Sequence, residues 1–276
     1  MEQFDLKEPG ITKILDLISK TSNLIGNLIF KKLSDVGHLI LYFWEVLKNT
    51  VKPPFRWPQV LVQLEFIGNQ SLNIILLSGF FTGAVFGLQI GGIFGIFKSE
   101  SLMGAATSEA LTRELAPLMT GFLLAGRAGS AITAEISSMK VNEQIDAMEA
   151  MAVSPMHYLV VPRVIASLFM IPFLCGIFML IGTFGCFLLG IALFDVDRGV
   201  FLERILWMVQ PKDIFAGLFK SLVFAFIISS ISCRYGLNAS GGAKGVGQAT
   251  TDSVIASLLL ILLSDVIITF IQVVIL

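Results

Sequence analysis

"LNIILLSGFFTGAVFGLQIGGIFGIF", residues 72–97, runs for 26 residues without an Asp, Glu, Lys or Arg. A helix rises about 1.5 Å per residue and a bilayer's hydrocarbon core is about 30 Å thick, so about 20 such residues span it. This stretch is long enough to cross. Within it Gly79, Gly83, Gly87, Gly91 and Gly95 recur every four residues. Small residues at that spacing let another helix backbone approach closely. The strip turns by about 40° per step at 3.6 residues per turn, which suits a crossing contact. Packing within the chain and a seam between two copies both fit the pattern.

Four further apolar stretches follow, at residues 116–132, 164–194, 214–232 and 254–276. The second of the five spans, 116–132, is short, contains Arg127 and can extend upstream through "SEALTREL". The third is longer than one vertical crossing needs, so it tilts, kinks near Pro172 or protrudes into water. The whole chain of 276 residues is 55% hydrophobic and 14% charged, against about a quarter charged in soluble domains. Its mean hydropathy is +0.84. These values indicate an all-α integral membrane protein with five transmembrane helices. A net charge of −1 argues against a nucleic-acid binder. Cys175, Cys186 and Cys233 lack metal-ligand spacing and read as packing residues. "MEQFDLKEPG" offers no basic segment before an apolar core, so no cleavable signal is expected.

Residues 1–58 form a separate N-terminal region, ahead of a membrane domain over 59–276. In "ITKILDLISKTSNLIGNLIFKKLSDVGHLILYFWEVL", Leu15, Ile18, Ile25, Ile29 and Leu33 recur at helical spacing among lysines and acids. That pattern predicts an amphipathic helix lying in the membrane interface, or else a helical cap on a partner. "KPPFRWP" at 52–58 breaks it and supplies Phe55, Arg56 and Trp57 as headgroup-level anchors. Twelve Lys and Arg fall before the first span or in the loops after the second and fourth; five fall in the other two loops. The bias predicts a cytoplasmic N-terminus.

In that topology "MKVNEQIDAMEAMAVSP", residues 139–155, lies in the cytoplasm between the second and third spans. Val141, Ile145, Met148 and Ala152 share one helical stripe, with Glu143, Asp146 and Glu149 opposite. Acidic residues are repelled by the negative cytoplasmic leaflet, so a protein groove that takes Ile145 and Met148 suits this helix better than the membrane surface.

"LTRELAPLMTGFLLAGRAGSAITAEISSMKVNEQIDAMEAMAVSP", residues 111–155, resembles the signature region of the MlaE permease family. The likeness continues in "GAVFGLQIGG" upstream and "YLVVPRVIA" downstream and covers roughly residues 60–276. The resemblance implies the membrane subunit of an ABC transporter that moves phospholipid or related lipid between a bacterial inner membrane and the periplasm. It implies an interfacial helix plus five spans, a permease homodimer, and a coupling helix where Glu143, Gln144, Ile145, Asp146, Met148 and Glu149 stand. It further implies a separate ABC ATPase that uses the ATP, a periplasmic MCE-domain protein and, in many systems, a STAS-domain protein. No cofactor is expected in this chain. Consistent with that division of labour, it has no G-x-x-x-x-G-K-[ST]; in "GGAKGVGQ" Lys244 is followed by Gly245 and the spacing fails.

Charges inside spans cost about 2.5–3.5 kcal/mol each on insertion scales, so they are expected to be partnered or functional. Arg113 and Glu114 match family positions that line the lipid cavity, although the family usually has Gly where this chain has Ala116. Being neighbours, they point about 100° apart. Arg127 reads as structural, paired with Glu135 or with carbonyls of another helix. Lys220 and Asp265 differ in estimated depth by about 5 Å and are expected to form an interhelical ion pair bordering the lipid path. A proton-coupled role for Asp265 is the alternative.

Two other function classes stay open from sequence. An intramembrane enzyme is disfavoured because His38 and His157 both lie outside the spans and neither H-E-x-x-H nor G-x-S-x-G occurs. A passive channel or scaffold would leave the acidic helix without a motor to meet.

Overall fold

The computed structural model describes Ser34, residues 37–53 and residues 56–275. The positions of Leu15, Ile18, Ile25, Ile29, Leu33 and Phe55, on which the N-terminal amphipathic pattern partly rests, lie outside the described residues. Two compact units part between Val51 and Lys52.

In the first unit, residues 37–51 form helix α1. It exposes Ile40, Leu41, Trp44, Leu47 and Val51, a set that recurs on one helical side. Such a face suits the headgroup boundary of a bilayer.

The second unit is helical, and no strand occurs among the described residues. Helix α2, Trp57–Ile96, starts with Pro58 in its first turn, where a fixed φ and a missing N–H cost nothing. It therefore begins fifteen residues before the span read from hydropathy (72 − 57). Helix α3, Glu100–Val141, is likewise far longer than residues 116–132. The polar run Glu100–Leu115 depressed the local hydropathy, yet Glu109, Arg113 and Glu114 are paired and the run continues the helix. Two π-helical turns, Leu111–Leu115 and Ala125–Gly129, interrupt α3. Each contains an arginine.

Short helix α4, Gln144–Ala150, links α3 to α5, Met156–Phe194. A further helix that the sequence reading lacked, α6, Arg198–Met208, follows; Asp197 caps it by accepting from Gly199 N and Val200 N at 2.8 and 3.1 Å. Helix α7, Pro211–Leu237, opens with a reciprocal cap between Gln210 and Asp213. Helix α8, Gly242–Ile275, completes the chain's described part. Five helices, α2, α3, α5, α7 and α8, are long and apolar enough to cross a membrane.

The most extensive packing joins α2 to α5. A Cβ on Gly83 would sit 1.8 Å from Gly182 O, and one on Gly185 would sit 2.4 Å from Phe80 O. Gly79 faces Phe178, Gly87 faces Cys186, and Gly91 faces Phe194 and Met103. The first four glycines of the strip are thus used inside one chain; Gly95 meets only Glu100. At the end opposite α4, Phe201 of α6 is buried with Met103, Cys186 and Val196. Helix α8 leaves Leu259, Leu263, Val266, Phe270 and Val273 exposed, as a helix facing lipid or another membrane helix does.

Candidate functional site

The π-turn Leu111–Leu115 adds a residue to one turn of α3 and directs two adjacent charges to different levels of α7. Arg113 Nε donates to Asp213 Oδ1 at 3.0 Å, in the first turn of α7, and lies 3.1 Å from Glu109 Oε1. Asp213 also accepts from Gln210 N at 2.9 Å, so the helix cap and the ion pair hold each other. Glu114 reaches seven residues further along α7 (220 − 213), to Lys220, at 2.6 Å. Their divergent directions are why neighbours in sequence take separate partners.

Lys220 is fully buried. Its ammonium has three donors, and three side-chain oxygens surround it: Glu114 Oε2 at 2.6 Å, Thr269 Oγ1 at 2.7 Å and Asp265 Oδ1 at 3.3 Å. Thr269 in turn lies 3.3 Å from Glu114 Oε1. The structure thus brings Glu114, Lys220 and Asp265 into one cluster across α3, α7 and α8, with Arg113 beside it. The sequence reading missed Glu109, Asp213 and Thr269. Asp213 sits just before the apolar stretch, where it reads as a loop residue.

A cavity of about 240 Å³ opens on this cluster, lined by Arg113, Glu114, Lys212, Asp213, Thr269 and Gln272. Across the π-turn, Thr112 joins Phe173, Met179, Leu180, Ile205 and Leu218 around an apolar cavity of about 550 Å³. Polar and apolar spaces therefore lie on opposite sides of one turn of α3.

Arg127, in the other π-turn, donates to Phe66 O at 2.6 Å, to Ser71 Oγ at 3.1 Å and to Gln70 Oε1. Its guanidinium also lies 4.8 Å from the Phe66 ring centre. Of the two partners the sequence allows, the carbonyl is used and Glu135 is not. Glu135 instead pairs with Arg163 of α5 at 2.7 Å. Arg127 ties α3 to α2.

At the other end of the bundle, α4 is held between two non-glycine residues in left-handed conformation, Glu143 and Ala152, each with φ 58°. Lys140 Nζ donates to Asp146 Oδ1 at 2.6 Å, fastening α4 to the end of α3. Gln144 and Glu149 are exposed. Ile145 corrects the sequence reading: at 2% exposure it is packed into the chain and is no anchor for a partner. Amphipathy identifies an apolar stripe, and here the chain's own helices cover it. Met148 is half-buried, while Met151, just beyond the helix, is 68% exposed. Ile145→Asp is therefore expected to cost folded protein, because it buries an unpaired carboxylate. Its melting temperature should fall well below that of Glu149→Lys, measured on the same purified chain.

The chain's likeness to known proteins agrees with this architecture. The family model described as Permease MlaE matches residues 60–271. A probable ABC transporter permease of Rickettsia prowazekii is 40% identical over 92% of this chain and 98% of its own. Another, from Synechocystis, is 43% identical over 74% of this chain and 78% of its own. The chloroplastic protein trigalactosyldiacylglycerol 1 of Arabidopsis thaliana is 37% identical over 80% of this chain and 63% of its own. Matched across most of its length, the chain belongs to the MlaE permease family: it is a multi-pass membrane subunit of an ABC transporter, which acts with an ATPase.

Proposed function

We propose that this permease moves a phospholipid or related lipid between the inner membrane and a periplasmic MCE-domain carrier, as a homodimer driven by a separate ATPase. The observation that carries the reading is the fully buried Lys220 held by Glu114, Asp265 and Thr269 beside a polar cavity, back to back with an apolar one. A charged network inside membrane spans is retained at a cost, and this one borders a polar cavity through Glu114 and Thr269, as a site for a charged lipid headgroup would, while the apolar cavity lies across α3. The Arabidopsis relative, whose name is that of a lipid, points the same way.

The excess of Lys and Arg on one side puts the N-terminus and α4 in the cytoplasm. The charged cluster then lies toward the periplasm, where a carrier collects or delivers the lipid. On the cytoplasmic side, Gln144, Glu149 and Met151 present the surface for the ATPase. In many such systems a STAS-domain protein joins the assembly, and α8's exposed apolar face is available to the second permease copy. ATP is bound and hydrolysed by the partner. This chain's part is to hold the lipid and change the access of the cavity as α4 moves.

The test is co-expression with the ATPase and reconstitution in vesicles holding a fluorescent phospholipid, with an MCE-domain acceptor outside. ATP-dependent transfer is expected from the unaltered complex. Glu149→Lys combined with Met151→Asp is expected to weaken ATPase association about tenfold or more, the effect of losing about 1.4 kcal/mol at an interface, with the melting temperature of the permease unchanged. Full association in that folded variant would remove α4 as the docking element, and lack of ATP-dependent transfer by the unaltered complex would remove the lipid reading.

A further inference from the structure

Glu135 and Arg163 stand on the two helices that flank α4, near the end of α3 and the start of α5. Arg163 is buried, its side chain 5% exposed, while the Glu135 side chain is 50% exposed. The guanidinium donates to Leu159 O at 2.8 Å through Nη1 and pairs with Glu135 Oε2 at 2.7 Å through Nη2. One nitrogen thus braces the first turns of α5 and the other crosses to α3. Helix α7 closes the group: a Cβ on Gly236 would lie 2.7 Å from Ile136 Cβ, the residue after Glu135. Below this block α4 is attached by buried Ile145 and, at the surface, by the Lys140–Asp146 pair.

A push on α4 is delivered to the last turns of α3 and the first turns of α5. If those two legs were free to slide, the displacement would be absorbed by the loop. A buried cation joined through Nη2 to a carboxylate on the opposite leg resists that sliding, since separation would leave Arg163 charged in the interior with only the Leu159 carbonyl. We infer that the Glu135–Arg163 ion pair is the clamp that makes α3 and α5 move as one body when the ATPase moves α4, so that hydrolysis is converted into a change at the Lys220 cluster. Both are positioning residues. The inference rests on the proposed transport reading and adds to it the element that sets coupling efficiency.

The measurement is phospholipid transferred per ATP hydrolysed in the reconstituted full complex, with assembly and melting temperature read on the same samples. Glu135→Gln keeps the shape of the half-exposed side chain and removes its charge. Glu135→Gln combined with Arg163→Gln removes both charges and leaves no unpaired charge. Both complexes are expected to assemble and hydrolyse ATP while lipid moved per ATP falls at least fivefold. Recovery of the ratio in the double variant would mean that the unpaired arginine alone was harmful, and it overturns the clamp. So does an unaltered ratio in a single variant that assembles; where the single fails to assemble, the double decides. Lack of ATP-driven transfer by the unaltered complex would instead overturn the transport reading, and the clamp with it.

Discussion

Replacing Lys220 with methionine is expected to destabilise the permease by about 3–5 kcal/mol, the usual result of removing one partner from a buried ion pair. Methionine fills much the same volume, so little of the loss comes from packing. What remains is Asp265 and Glu114 facing each other without the ammonium that separates them, and Thr269 without its donor. Against a total folding stability of about 5–15 kcal/mol this is a large share. Asp265→Leu together with Lys220→Met is expected to recover much of it, because the Glu114 side chain is 41% exposed and can hydrate once the second carboxylate is gone. Lipid transfer should be lost in both variants, since both lose the ammonium that fixes Glu114 at the edge of the cavity. Thermal unfolding in lipid nanodiscs, followed by the transfer assay, separates the two effects. A single variant as stable as the unaltered chain would show that Lys220 is not held as a charge. A double variant that transfers lipid normally would remove the cluster from the transport path.

The five crossings can be read because apolar runs of about 17 residues or more have few other uses. Their ends are harder to read. The polar run Glu100–Leu115 looks like a loop to hydropathy, yet Glu109, Arg113 and Glu114 find partners on α3 itself and on α7, and the helix runs straight through. Depth along the spans pairs Lys220 with Asp265, and the structure sets them 3.3 Å apart. Depth gives no rotation, however. Hence Glu114 is not assigned to Lys220, and Glu135 is offered to Arg127 although it meets Arg163. The same limit applies to α4: the wheel shows that Ile145 lies on an apolar side, but which surface covers that side is decided by tertiary packing. Helix α6 escapes notice for a related reason. Phe201, buried against Met103 and Cys186, and Ile205 beside it mark its inner face, while Leu202, Leu206 and Trp207 stay exposed and blur the pattern.

The glycine strip separates pattern from contact in the same way, and it yields the second large effect. Gly83→Ala is expected to destabilise the chain by about 3 kcal/mol, at the upper end of what one added core methylene costs. The new Cβ would fall 1.8 Å from Gly182 O, and neither atom belongs to a flexible side chain that can swing away. Helices α2 and α5 must therefore part, and the neighbouring contacts of Gly79 with Phe178 and Gly87 with Cys186 loosen with them. In lipid no solvent-driven term pulls the helices back together, since their association depends on close packing itself. Gly92→Ala is the matched control: same helix, same substitution, nothing within 4 Å of the added carbon. It should be neutral or gain up to about 1 kcal/mol from helix propensity. Thermal unfolding of both variants in one lipid composition makes the comparison direct. Equal stability would mean that the strip tolerates a methyl where the backbones meet, and the α2–α5 seam would then have to be held by the side chains around it rather than by the approach of the two backbones.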